Sequence, residues 1–147
     1  MHPYPHHYRA SAAGAPAGNV TVASPALPGI ATAPPPEFDG PGGLWSPETL
    51  LCAAVANCFV LTFRSVSRAA RLEWAALDCH VEGTLERVDG QAQFTRFATT
   101  ARLTVSATAD AERARALLER AEHACLVSNS LRGTRTLAVE IAGPAAI

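Results

Sequence analysis

Four cysteines, Cys52, Cys58, Cys79 and Cys125, are the side chains of this chain best suited to chemistry. A thiolate is a soft nucleophile, and two thiols within reach of each other exchange two electrons with a disulfide. No G-x-G-x-x-G, P-loop, H-E-x-x-H or G-x-S-x-G pattern is present, so the phosphate, zinc-hydrolase and serine-nucleophile chemistries that those motifs serve find no support. Nor is there a C-x-x-C pair from which to build a zinc ribbon or a thioredoxin-type centre. Cys52 and Cys58 lie six residues apart; on one helix that is about 9 Å of rise and about 240° of rotation, too far for a mutual disulfide. Cys79 alternates with polar neighbours and fits the apolar face of a strand, where a free cysteine is a packing residue. Long-range pairings such as Cys58 with Cys125 stay open, because periodicity does not choose among them.

The elements that must hold these thiols can be read from the same sequence. Ser46 to Arg64, SPETLLCAAVANCFVLTFR, reads as a helix continuing to about Arg71. Ser46 suits the N-cap, Pro47 the first helical position, and Glu48 the positive end of the helix dipole. From Leu50 to Phe63 only Asn57 and Thr62 are plainly polar, so this helix must be covered on all sides. The apolar run Leu50 to Leu61 is shorter than the roughly 20 residues of a membrane span and is flanked by charge, so no membrane association is expected.

Before that helix, residues 8–13 and 19–23 read as a hairpin with a turn over Gly14 to Gly18, residues 27–31 as a third short strand, and the Pro/Gly-rich 33–43 as a loop. After it, Leu77, Cys79, Val81 and Leu85 alternate with polar residues, Asp89-Gly90 makes a turn, and 97–105 alternates again, a second hairpin. Asp110 caps a helix with Ala114, Leu117, Leu118, Ala121 and Cys125 on its inner face; Ser128-Asn129-Ser130 ends it, and residues 137–141 alternate as a last strand. Trp45 is expected to pack as a staple before the first helix, and Trp74 to anchor the start of a strand. The order of elements predicts an α+β fold.

With 147 residues, 48% hydrophobic and 17% charged, the chain is expected to be one domain over 1–147, with 1–8 a frayed tail. His2, His6 and His7 in that tail lack acidic or thiol partners nearby and read as solvated rather than metal-binding. A net charge of −1 with scattered arginines gives no footprint for nucleic acid. No apolar segment follows Met1 in the manner of a signal peptide, and a reducing cytoplasmic setting is expected.

Two stretches carry a family resemblance. SPETLLCAAVANCF resembles N-P-E-x-L-x-x-A-x-x-x-C-F, which opens the central helix of the OsmC/Ohr family of osmotically inducible and organic hydroperoxide resistance proteins, and AEHACLVSNSL is similar to that family's second cysteine motif, A-x-x-x-C-P-x-S-x. The resemblance implies the OsmC-like fold, an intertwined homodimer whose central helices pack back to back inside six-stranded antiparallel sheets. It implies a peroxidase that reduces organic hydroperoxides without metal or organic cofactor. Cys58 would be peroxidatic, Cys125 resolving, and Glu48 the glutamate that orients an arginine beside the reactive sulfur; a dithiol or lipoylated protein would restore the thiols. A non-catalytic binder of an apolar small molecule in the dimer cleft, and a thiol redox sensor, are the alternatives.

The physics of the implied roles sets requirements. Burial in an apolar helix raises a thiol pKa, so Cys58 is expected to need a cation, a guanidinium held by Glu48. Leu51, Val55 and Phe59 are expected to form apolar surroundings for a hydroperoxide. Two positions depart from the family pattern: GAPAGN replaces the G-R-x-G turn that carries the family arginine, leaving Arg9, Arg96, Arg132 and Arg135 as candidates, and Leu126 replaces the proline after the second cysteine. Both departures point to a divergent OsmC-like branch.

Overall fold

The computed structural model describes residues 1–106 and 110–144, and the chain forms two compact units, Met1–Leu50 and Leu51–Ile147. In the first unit, β1 (Ser11–Ala13), β2 (Val20–Ala23) and β3 (Ile30–Thr32) form an antiparallel meander in that order. The expected hairpin pairs Ser11 with Ala23 and Ala13 with Thr21, while the third strand begins three residues later than its apolar run suggests. Trp45 does not act as a staple: its residue is 50% exposed, and its carbonyl accepts from the Ala33 amide at 3.0 Å.

Helix α1 (Pro47–Ala69) begins where Ser46 and Thr49 cap each other reciprocally. The Thr49 amide donates to Ser46 Oγ at 3.2 Å and the Ser46 amide to Thr49 Oγ1 at 2.9 Å, satisfying two donors that a helix start otherwise leaves unpaired. Further along, Val55, Phe59, Phe63 and Ser67 are its buried residues, a stripe with a spacing of four. The sequence demanded cover on every side, yet within this chain only 17% of its most apolar 18-residue window is buried and Leu61 is 51% exposed. With 23 residues and a mean hydropathy of 1.7 over that window, α1 is long and apolar enough by length and composition to cross a membrane; the shorter run Leu50 to Leu61 understated it.

The second unit is built on a three-stranded sheet in the order β4 (Trp74–Val88), β5 (Gln91–Val105), β6 (Thr134–Ala142). β4 and β5 are antiparallel through the two-residue turn Asp89-Gly90, where φ is +49° and +82°, the left-handed pair that matches the twist of a tight hairpin. A register shift between Thr84 and Leu85 breaks the alternation, so Leu85 sits 38% exposed instead of following Leu77, Cys79 and Val81 inward.

β6 pairs with β5 in parallel, which requires a crossover, supplied by α2 (Ala111–Ala124). Asp110 caps α2 as expected, accepting from the Glu112 and Arg113 amides. The core joins Phe59 and Phe63 of α1, Ala101, Leu103 and Val105 of β5, and Ala114, Leu117, Leu118 and Ala121 of α2. Trp74 seals one end: its ring meets Phe63 edge-on at 5.3 Å and its Nε1 donates to Ser67 Oγ at 2.9 Å.

α2 stops one residue before Cys125, which is extended at φ −66°, ψ 104°, whereas the sequence placed Cys125 on the helix. Ser-Asn-Ser competes for the backbone here. Asn129 Nδ2 donates to the His123 carbonyl at 3.1 Å, Ser130 Oγ to the Leu126 carbonyl at 2.9 Å, and residues Ser128–Ser130 form a 3-10 turn.

Candidate active site

Cys58 lies near the middle of α1, and Cys125, 1% exposed, caps the end of α2. The fold brings these two thiols close enough for each to act on the other's ionisation. Burial pushes the Cys58 thiol up, but the Val127 amide, the Cys125 thiol, the Thr62 hydroxyl and the Leu126 amide together outweigh it and hold the pKa below its ordinary value. Thr62 Oγ1 lies 3.9 Å from the sulfur. Its partner shifts the other way. Burial raises Cys125 and the neighbouring Cys58 adds to the rise, against the Ser128 hydroxyl and amide; Ser128 Oγ donates to Cys125 Sγ at 3.3 Å.

Oppositely shifted neighbours divide labour: the surroundings of Cys58 favour its charged form and those of Cys125 its protonated form. The requirement set for Cys58 is thus met differently from the expectation. Among the described residues its stabilising groups are hydrogen-bond donors, two main-chain amides of the turn after Cys125 and two side chains, and no guanidinium is among them.

Of the four candidate arginines, Arg135 on β6 is the one that feels Cys125. Its guanidinium is raised first by its bond to the Glu122 carboxylate, against burial, with further contributions from the charges of Glu122 and Cys125. Nε reaches Glu122 Oε1 at 2.6 Å, Nη2 the Glu122 carbonyl at 2.9 Å, and Nη1 Asn129 Oδ1 at 2.7 Å. Glu48 stands in the first turn of α1, and its Oε2 is buried without a hydrogen-bond partner among the described residues.

The other two cysteines are packing residues with identifiable neighbours. Burial raises Cys52 against a hydrogen bond with the Gly83 backbone, and a Cβ at Gly83 would stand 2.8 Å from Cys52 Sγ, so only glycine lets α1 approach β4 there. Cys79 packs against the core, and burial followed by repulsion from Cys125 raises its pKa to about 11.

A cleft of about 340 Å³ is lined by Leu51 of α1, Phe94 and Phe97 of β5, and Ser130, Leu131 and Arg132 of the segment that follows the Cys125 turn. Leu51 lies two turns before Cys58 on the same helix face, about 10 Å along the axis. Val55 and Phe59, expected to line an apolar pocket with Leu51, are each 2% exposed inside the structure instead. Phe94 and Phe97 were missed because they lie three apart on β5 and only the register shift opposite Thr84 and Leu85 brings their rings together, at 5.3 Å; Leu131, between the 3-10 turn and β6, has no periodic signal. The Leu126 and Val127 amides had no signal at all, since main-chain donors leave no trace in residue type.

Comparison with known proteins places this geometry. A family model described as OsmC-like protein matches residues 40–140. An uncharacterised Bacillus subtilis protein, YmaD, is 27% identical over 109 residues, 72% of this chain and 73% of that protein. A solved organic hydroperoxide resistance protein OsmC from Legionella pneumophila, described also as a predicted redox protein, superposes with a TM-score of 0.75 at 25% identity, covering 95% of this chain and 99% of that one. An OsmC-like protein of unknown function from Vibrio cholerae superposes with a TM-score of 0.82 at 16% identity, covering 93% and 99%.

Proposed function

The chain belongs to the OsmC-like protein family, and from that premise we propose that it is a thiol-dependent peroxidase for organic hydroperoxides, with Cys58 peroxidatic and Cys125 resolving. The observation that carries the reading is the contact between two thiols whose environments push their pKa values in opposite directions. The name of the Legionella pneumophila relative, an organic hydroperoxide resistance protein, supports the substrate class.

In the first step the Cys58 thiolate attacks the O–O bond of the hydroperoxide. A sulfur–oxygen bond forms, the O–O bond breaks, and the departing alkoxide takes up a proton as the alcohol, leaving Cys58 as a sulfenic acid. The Cys125 sulfur then attacks the sulfenic sulfur; the S–S bond forms as the S–O bond breaks, and the oxygen leaves as water with the Cys125 proton. A dithiol, free or as a lipoyl group on a protein, reduces the disulfide by exchange and is itself oxidised. The apolar cleft between Leu51 and the segment after the Cys125 turn suits a hydrocarbon-bearing peroxide better than hydrogen peroxide.

Glu48 is proposed as a holder of a guanidinium, a role to which a buried carboxylate oxygen without a partner among the described residues is suited. The working form is proposed to be a cytoplasmic homodimer, because the exposed apolar side of α1 calls for cover.

Intact mass after one equivalent of cumene hydroperoxide tests the reading. Loss of two hydrogen atoms, abolished in Cys58→Ser and replaced by oxygen addition in Cys125→Ser, is expected. An unchanged mass would sink the peroxidase and leave a binding role for the cleft.

A further inference from the structure

We propose that Arg135 is a positioning residue that holds the Cys125 turn against Cys58, by tying Glu122 at the end of α2 to Asn129 on the far side of the turn. The purpose of this clamp rests on the peroxidase reading, while its geometry does not.

The three bonds of the guanidinium converge from both ends of the segment. Upstream, the Glu122 carbonyl accepts from Arg135 Nη2 at 2.9 Å and also from the Cys125 amide at 3.3 Å. Downstream, Asn129 accepts from Arg135 Nη1 at 2.7 Å and closes the turn on itself, its amide donating to the Cys125 carbonyl at 3.0 Å. Leu126 and Val127, whose amides face Cys58, lie between these anchors. Released at either end, they are free to turn toward water, and the thiolate loses these two donors.

A planar five-donor fork meets this need and an ammonium does not, since lysine cannot serve a carboxylate, a carbonyl and an amide oxygen in one plane. The side chains of Arg135 and Glu122 are 21% and 16% exposed, so the bonds are sheltered from the screening that weakens surface pairs. Among the described residues, Cys79 from β4 and Arg135 from β6 interact with Cys125, and Glu122 from α2 pairs with Arg135. Because Glu122 neutralises Arg135, geometry rather than charge is what the arginine supplies.

The test uses the full chain with Arg135→Ala, Arg135→Lys and, as a control at an exposed ion pair, Arg102→Ala. Iodoacetamide labelling of Cys58 from about pH 6 to about pH 10 reads the thiolate fraction without any peroxide. Both Arg135 variants are expected to raise the midpoint by about one unit and, after one equivalent of cumene hydroperoxide, to close the Cys58–Cys125 disulfide about tenfold more slowly, with dimedone-trapped sulfenic acid accumulating. Arg102→Ala is expected to match the parent in both.

A lysine variant that behaves as the parent would overturn the fork, and an alanine variant that does so would overturn the clamp. If Arg135→Ala fails to unfold cooperatively, the exposed Asn129→Ala carries the test: disulfide closure about threefold slower supports the clamp, and parental closure and labelling overturn it. A parent protein that forms no disulfide at all defeats the peroxidase reading, while its labelling profile still decides the clamp.

Discussion

Cys58, Cys79 and Cys125 share one functional group, and their surroundings assign each a different reactivity. Amides and hydroxyls favour the charged form of Cys58, whereas burial and a neighbouring thiol hold Cys79 near 11. Limited alkylation near neutral pH is therefore expected to modify Cys58 first and leave Cys79 untouched, as read by peptide mass spectrometry. Cys79 also sets a pH dependence of stability. Its folded pKa of about 11 lies above its ordinary value of 9.0, so the unfolded chain loses this proton first as pH rises. Its stabilising contribution is fully present below about 9 and is lost progressively as pH approaches about 11. Urea unfolding at pH 8 and at pH 10.5 is expected to differ less in Cys79→Ala than in the parent. The two cysteine motifs singled out Cys58 and Cys125, which the fold places as neighbours, but the means of lowering Cys58 left no such signal. A cation was the expected agent, whereas the groups that lower Cys58 are the Val127 amide, the Cys125 thiol, the Thr62 hydroxyl and the Leu126 amide.

At the scale of elements, the close approach of α1 to β4 depends on one missing side chain. In Gly83→Ala the new Cβ would meet both Cys52 Sγ and Phe94 Cε1 at 2.8 Å, and overpacking of this kind costs about 1–3 kcal/mol. Chemical denaturation is expected to show that loss, with Cys52→Ala partly restoring stability in the double variant. The cap on α2 is a second such point: Asp110→Ala removes an acceptor from two amides and is expected to cost about 1 kcal/mol. These elements were readable because local chemistry dictates them, as with the Asp110 cap, the Asp89-Gly90 turn and the alternation of β4 and β5. What local chemistry does not dictate was misplaced. The bulge at Thr84 and Leu85 depends on pairing with β5, and the end of α2 depends on Asn129 and Ser130 reaching back to carbonyls already in place.

For the whole molecule, α1 poses the main question, because its covered stripe is narrow and its outward side carries Ala54, Asn57, Leu61 and Ser65. If a second copy covers that side, as proposed, Leu61→Glu places a charge in the contact and is expected to shift sedimentation from dimer to monomer at micromolar concentration. A parent protein that sediments as a monomer would remove the homodimer. Sequence predicted that α1 needs cover on every side, but one chain does not reveal the source of that cover.

The parallel pairing of β5 and β6 makes α2 a ruler. The crossover leaves β5 at Val105 and must return to the level of Arg96, where β6 begins at Thr134, and the Cys125 turn is the last part of that return. Each residue added to α2 would advance its end by about 1.5 Å and rotate it by about 100°, so a single insertion would swing the Cys125 thiol to another face without altering any residue of the site. The meeting of the two sulfurs is a matter of phase as much as of chemistry. Changes in the length of this segment are therefore tolerated far less than changes in the residues of its outer face.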